Sequence, residues 1–398
     1  MSSADSGLDL QHVGRLVAFA QRSSLAETGF GHLDAKGSID HRFPPSTLIT
    51  ARMTFTFAIA SKLGFAGCSE LAERGIASLA TDFYDAKNGG FFSVAQGFGD
   101  SGAKSAYDTS FVLLAASTAH GLDIPGSQSL TDQAVNVLFD RFWREDLGIF
   151  ANSFNRDFSV EEPYLGANAN MHAVEALISA SEATGDPSLL DRALDISDFI
   201  VNQHARSRDW MMPEHFDQEG TVDPSFNEQN PADEFRPYGV TIGHLFEWSR
   251  LLLELHGNGL PRATWVPDAA RNLYEQAKAT GWAADGHEGF VYTLDWDKNP
   301  VVTQRLMWVV AEAISAAAQV GSDGLVSDAN DDVVSWSAHL HDSFMDAAHG
   351  SWHHELDATG TPASTVAKGK PDAYHLLQAL LIPQLPLGNG LLSRLERL

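Results

Sequence analysis

Cysteine is almost absent: Cys68 is the single one in 398 residues. That excludes an intrachain disulfide and any thiolate metal cluster. Cys68 stands at a predicted helix start, in "GFAGCSELAERG", with no basic partner beside it, and reads as a partly buried, unreactive thiol. Positive charge is scarce as well. Lys and Arg number 26 against 52 Asp and Glu, a formal net charge of −26. Such a surface repels phosphate backbones and argues against nucleic acid as a partner, while saying little about a small neutral ligand. Long apolar runs are missing. No stretch approaches the roughly 20 residues that cross a bilayer. The opening "MSSADSGLDLQ" has no basic region followed by an apolar one, so no signal peptide is expected. The chain therefore reads as cytoplasmic, with no membrane partner. What remains is a globular composition, 44% hydrophobic and 20% charged.

Repetition is what the sequence has in abundance. A Gly-aromatic loop with an acid nearby occurs six times: "TGFGHLDAKGSID", "DAKNGGFFSVAQ", "EDLGIFANSFNRD", "DWMMPEHFDQEG", "DGHEGFVYTLDWD" and "AAHGSWHHELDATG". The fourth lacks the Gly-aromatic core and is the weakest. A second signal is a glycine closing an apolar run, at Gly64, Gly121, Gly185, Gly257 and Gly321, spaced 57, 64, 72 and 64 residues apart. Glycine just past a helix takes the left-handed conformation that caps the last carbonyls. Between these marks the periodicity predicts twelve helices, near 8–23, 46–63, 68–84, 103–120, 129–144, 169–184, 187–205, 240–256, 265–280, 301–320, 330–347 and 371–382. Odd members are amphipathic; even members are apolar on most sides and belong inside. Six outer–inner pairs of this length predict an all-α (α/α)6 barrel, one catalytic domain over 1–398. Short β-hairpins are expected in the loops, since "GFVYTLDWD" alternates like a strand. A straight solenoid would use shorter repeats, of about 33–47 residues, with polar caps.

In such a ring the first turns of the inner helices converge at one end. They hold Arg52, then Lys104 and Tyr107, Asn168 and His172, His244 and Glu247, Arg305 and Trp308, and His375. Polar residues at the entrance with apolar ones below describe a lined pocket, and helix N-termini add partial positive charge. His172–Glu175 and His244–Glu247 share a His-x-x-Glu spacing, which places each pair on one helix face. Either carboxylate can then orient its histidine. A dinuclear metal site is a second reading, but the bundle motif for that is Glu-x-x-His with further glutamates. No metal or other cofactor is expected. A glycoside hydrolase using Glu247 and Glu175 and a helical-repeat binding scaffold are more distant alternatives.

"NANMHAVEALISA", "GHLFEWSRLLLEL", "RLMWVVAEA" and "YHLLQALLIP" resemble segments of the N-acylglucosamine 2-epimerase superfamily, in order and over nearly the whole chain. "GFGHLDAKGSID…STLITARMTF" and "NPADEFRPYGVTIGHLFEWSRLLL" are most similar to its aldose–ketose isomerase branch. The resemblance implies an (α/α)6 barrel that isomerises a free monosaccharide without metal or nucleotide. It implies that His244 and His375 transfer protons and that Arg52, Tyr107, Asn168, His172 and Glu247 line the sugar site. Aldose–ketose isomerisation needs a base of near-neutral pKa to move a proton between C2 and C1, and histidine starts there. His375 is assigned to carbon, and His244, oriented by Glu247, to ring opening and proton transfer at oxygen; the two roles are exchangeable. Trp308, Tyr107 and Trp352 are expected as walls. Near the mouth "NPADEFRPYG" offers Arg236, with Asp233 and Glu234 beside it. That acidic setting favours a neutral sugar, hence D-mannose and D-fructose, over sulfoquinovose. A 2-epimerase needs the same inventory and stays open. Nothing in the sequence speaks to oligomeric state.

Overall fold

Each apolar run marked in the sequence folds as a helix. The structure, a computed structural model, describes residues 10–99, 102–386 and 388–397. In chain order the helices are α1 (Gln11–Ala20), α2 (Thr47–Lys62), α3 (Cys68–Thr81), α4 (Ala106–His120), α5 (Ser127–Val137) and α6 (Ala167–Thr184). There follow α7 (Ser188–Ser197), α8 (Ile242–His256), α9 (Val266–Gly281), α10 (Met307–Ser322), α11 (Ala329–His339), α12 (Tyr374–Leu381) and a short α13 (Leu391–Glu396). All twelve expected helices are present; α13 was not expected, and the first two residues of the expected 8–23 helix lie outside the described residues. Helices α5, α7 and α11 each run on into a wider π-type stretch, Leu138–Phe142, Asp198–Ala205 and Leu340–Phe344, that leads into the next loop.

Helices α2, α4, α6, α8, α10 and α12 pack on one another in that order, and α12 returns to α2, so the ring closes as an (α/α)6 barrel. Their composition explains the inner position. Nearly all of α4, "AYDTSFVLLAASTAH", is buried, and its Ala, Ser and Thr side chains let neighbouring helices approach closely. The outer α7 instead buries only one stripe, Leu189, Leu190, Ala193, Leu194, Ile196 and Ser197. Each outer helix packs on the inner helix that precedes it, α3 on α2 through α11 on α10, and α1 packs on α12. The pairs are therefore inner-then-outer, with the first and last helices joined.

The glycine caps are less regular than their spacing. Gly64 and Gly185 are left-handed, with φ of 84° and 72°. Gly121 and Gly257 keep helical φ values, −61° and −56°, and Gly321 lies inside α10. There the chain runs on before turning, and Asp123, Gly259 and Gly324 take the positive φ.

The loops stitch the pocket end together. The first residue of five inner helices donates its backbone N–H to a carbonyl of the next Gly-aromatic loop. These pairs are Thr47 to Ser93, Ala106 to Asn152, Ala167 to Glu214, Ile242 to Tyr292 and Met307 to His354. Lys370 N–H donates to Leu33 and closes the circle. Two-residue strands flank four of these junctions, for example Lys104–Ser105 with Ser153–Phe154, and Thr293–Leu294 lies in a three-stranded patch as the "GFVYTLDWD" alternation predicted. Among the described residues no helix is long and apolar enough to cross a membrane.

Candidate active site

All six inner helices contribute to one cavity of about 530 Å³ at the loop end of the ring. Its wall includes Arg52 from α2, Tyr107 from α4, Asn168 and His172 from α6, His244 and Glu247 from α8, Trp308 from α10 and His375 from α12. The size suits a small ligand.

Two imidazoles on this wall are each backed by a carboxylate. His244 Nδ1 donates to Glu214 Oε1 at 2.9 Å, and both side chains are buried. His375 Nδ1 donates to Asp372 Oδ2, three residues earlier in the chain. In each case Nδ1 is occupied, which leaves Nε2 as the free nitrogen. Trp308 lies between the two rings, 5.2 Å from His244 and 5.6 Å from His375, centroid to centroid. Asp372 is shared. Arg52 reaches it at 3.4 Å, and the other end of the guanidinium donates to Tyr107 Oη at 3.1 Å. Arg52 also rests 4.4 Å above the Phe111 ring. Burial works to raise the Asp372 carboxyl, but His375 and Arg52 outweigh it and hold it well below the usual range. The other histidines of the wall are different. Burial lowers His172 to about 3 and His354 to about 4, so both are neutral near pH 7.

Several buried polar atoms of the wall have no hydrogen-bond partner: Asn168 Oδ1, Arg52 Nε, His354 Nε2, His172 Nδ1 and both Glu247 oxygens. An unsatisfied buried polar group costs about 1–3 kcal/mol. Two sets of side chains have donor atoms within 4.8 Å of one another, as a metal would need: His172, Glu175 and Glu247, and Glu247, Glu312 and His375. Arg250 already stands among these carboxylates, 3.0 Å from Glu312 and 3.4 Å from Glu175.

The N-acylglucosamine 2-epimerase (GlcNAc 2-epimerase) family model matches residues 29–379. The chain belongs to that family. It is 42% identical over 388 residues to a D-mannose isomerase of Pseudomonas cannabina pv. alisalensis, covering 96% of this chain and 94% of the relative. A D-mannose isomerase of Thermobifida fusca is 42% identical over 384 residues, with the same coverage of 96% and 94%. A crystal structure of D-mannose isomerase superposes with a TM-score of 0.87 at 25% identity, covering 94% of this chain and 96% of that one. Cellobiose 2-epimerase from Spirochaeta thermophila shares the fold, with a TM-score of 0.80 at 20% identity over 98% of this chain and 95% of that one.

Within this family frame, most residues singled out from the sequence border the cavity: Arg52, Tyr107, Asn168, His172, His244, Glu247, Trp308, His375 and, at the mouth, Arg236. Some expectations need correction. Glu247 does not hold His244. It points to the floor of the pocket, 3.5 Å from His172 Nδ1, and Glu214 takes His244 instead. Trp352 is not a wall. It packs beside His12, and it is His354, two residues on, that lines the cavity. Lys104 and Arg305 are clamps rather than pocket residues. Each sits in a strand just before an inner helix and turns back to the aspartate of its own repeat's loop, Lys104 to Asp85 at 3.1 Å and Arg305 to Asp285 at 2.6 Å. Lys370 does the same with Asp346 at 2.6 Å.

Glu214 went unseen because its loop, "DWMMPEHFDQEG", lacks the Gly-aromatic core. Asp209 and Trp210 take the left-handed turn there, with φ of 53° and 61°, and Met212 replaces the aromatic. The backbone bond of Ala167 to Glu214 nevertheless places this loop in register with the other five. Counting two residues past the core aromatic, or past Met212, gives His32, Ser93, Asn152, Glu214, Tyr292 and His354. All of these but Glu214 line the cavity directly. Cys68 is buried, and burial raises its thiol to about 11, in keeping with an unreactive side chain.

Proposed function

We propose that this protein is an aldose–ketose isomerase interconverting D-mannose and D-fructose, with the whole chain acting as one catalytic unit. The observation that carries this reading is the pair of pocket imidazoles, each fixed at Nδ1 by its own carboxylate. Such an arrangement sets the tautomer and leaves Nε2 as a base. The D-mannose isomerase relatives supply the sugar.

The ligand's ring stacks against Trp308 and Tyr107, and its hydroxyls meet the polar side chains of Arg52, Asn168 and His354 on the wall. His244 takes the anomeric hydroxyl proton and returns one to the ring oxygen, which opens the pyranose. His375 then removes the C2 proton and holds it as an imidazolium against Asp372. The resulting cis-enediolate carries its charge on O1, a proton passes from O2 to O1, and the same histidine returns its proton to C1 as C2=O2 forms. Arg52 stabilises the charge that develops on oxygen in between. Arg236, at the mouth, is already neutralised by Glu162 through two hydrogen bonds of 2.7 and 3.0 Å, so it offers little to a sulfonate. Lys368 also borders the cavity, but it acts on Glu234, which has Asp233 beside it, so the mouth as a whole suits a neutral sugar better than sulfoquinovose. No step calls for a metal or other cofactor.

Incubation with a panel of free sugars in deuterated water tests the reading. Mannose should yield fructose, with deuterium at C1 of the ketose, and a chelator should leave the rate unchanged. Conversion of mannose to glucose without ketose would instead identify a 2-epimerase. A metal-restorable loss of activity would revive the dinuclear reading.

A further inference from the structure

The floor of the pocket carries more acid than its cations balance. Four buried glutamates, Glu175 from α6, Glu247 and Glu254 from α8 and Glu312 from α10, stand around the buried guanidinium of Arg250. Three of them take it at hydrogen-bond distance or close to it, Glu312 at 3.0 Å, Glu254 at 3.2 Å and Glu175 at 3.4 Å. Glu175 also accepts from the Tyr374 hydroxyl, and Arg394 stands 4.0 Å from Glu254. Glu247 is left out. It is 0% exposed, Arg250 is 3.8 Å away, and neither of its oxygens has a hydrogen-bond partner.

The groups that face Glu247 come from every inner element around it. They are His172 and Glu175 of α6, Arg250 of its own helix, Glu312 of α10, Tyr374 and His375 of α12, and, further off, Arg52 of α2 and Tyr107 of α4. His172 is neutral, so the near cation is Arg250, and three carboxylates already surround it. A fourth ionised carboxylate there would be desolvated, unpaired and beside like charges, the combination that keeps a carboxyl protonated. Burial first, and Glu312 second, push Glu247 well above its ordinary value, against the opposing pull of Arg250 and Arg52.

We propose that Glu247 is a carboxylic acid at neutral pH and serves as a two-oxygen proton shuttle between O1 and O2 of the open-chain sugar. The shuttle rests on the isomerase reading above; the protonation does not. As His375 removes the C2 proton, the C2–H electrons form the C1=C2 double bond, and O1 takes the Glu247 proton to become a hydroxyl. In the second half, the Glu247 carboxylate takes the O2–H proton as C2=O2 forms. The C1=C2 electrons then capture the proton from His375 at C1. His375 ends neutral and Glu247 ends protonated, so no external acid or base is consumed. An ionised Glu247 has no proton with which to start. This leaves His244 the ring-opening step alone.

Infrared difference spectroscopy of the wild-type protein against Glu247→Gln at neutral pH tests the acid. A protonated-carboxyl band should be present in the wild type, shift in deuterated water and be lost in Glu247→Gln. Glu312→Gln removes a like charge while keeping an acceptor for Arg250. In that variant the band should titrate at lower pH, and the alkaline limb of kcat/KM should move down with it. Glu247→Gln should lower kcat by about 10²- to 10⁴-fold. Absence of the band, its survival in Glu247→Gln, or an unmoved alkaline limb in Glu312→Gln would overturn the proposal. A protein that shows the band yet isomerises none of the sugars would count against the isomerase reading instead.

Discussion

The fourth and sixth repeats place a histidine at the same point of the pocket but support it in different ways. His375 takes its carboxylate from its own segment, Asp372, three residues back. His244 takes Glu214 from the loop of the preceding connection, 30 residues away. The local carboxylate is shared with Arg52, whereas among the described residues Glu214 has no cation paired with it. One histidine is thus coupled to Arg52, the group proposed to meet developing charge on the sugar. The other is held by a partner with a single task. In the proposed mechanism that division suits His375 to the carbon-bound proton and His244 to the ring oxygen.

Mutations sharpen this contrast. The largest effect belongs to the imidazoles. His375→Ala or His244→Ala should lower kcat by roughly 10²- to 10⁴-fold with the helical circular dichroism unchanged; retained turnover in either would remove it from the mechanism. The open-chain aldehyde form of a substrate analogue should partly rescue His244→Ala and not His375→Ala. Next come the carboxylates. Glu214→Gln should reduce kcat by about 10²-fold with little change in KM, because it disturbs only the tautomer of His244. Asp372→Asn should move both parameters, since it loosens Arg52 as well; equal kinetic signatures for the two variants would dissolve the distinction. The smallest kinetic effect should come from the clamps outside the pocket. Arg305→Met removes a buried arginine from its pair with the half-buried Asp285 and should lower stability in urea titration, with kcat nearly intact.

The sequence made the fold legible because two independent marks, the aromatic loops and the helix-end glycines, shared one period. It made the histidines legible because they recur at equivalent helix starts. Partners were harder to read. His244 and Glu247 share a helix face, yet Glu247 lies at the floor beside His172, and spacing along one helix cannot report what a neighbouring loop delivers. Lys104 and Arg305 illustrate a second limit. They fall in strands two residues before the helix, where alternation turns the side chain away from the cavity. Trp352 illustrates a third, since it occupies the core aromatic position of its loop and leaves the pocket to His354.

The backbone stitching at the mouth has an evolutionary consequence. Ser93, Asn152, Glu214, Tyr292 and His354 are fixed by their carbonyls, through bonds that do not depend on the side chain. Each of these five loops therefore presents one socket whose occupant is exchangeable without breaking the backbone bond that holds it. The five sockets already hold five different residue types. A lineage built on this frame can acquire a new ligand preference by single substitutions at these points, and the socket of the fourth repeat is where this chain has installed a carboxylate.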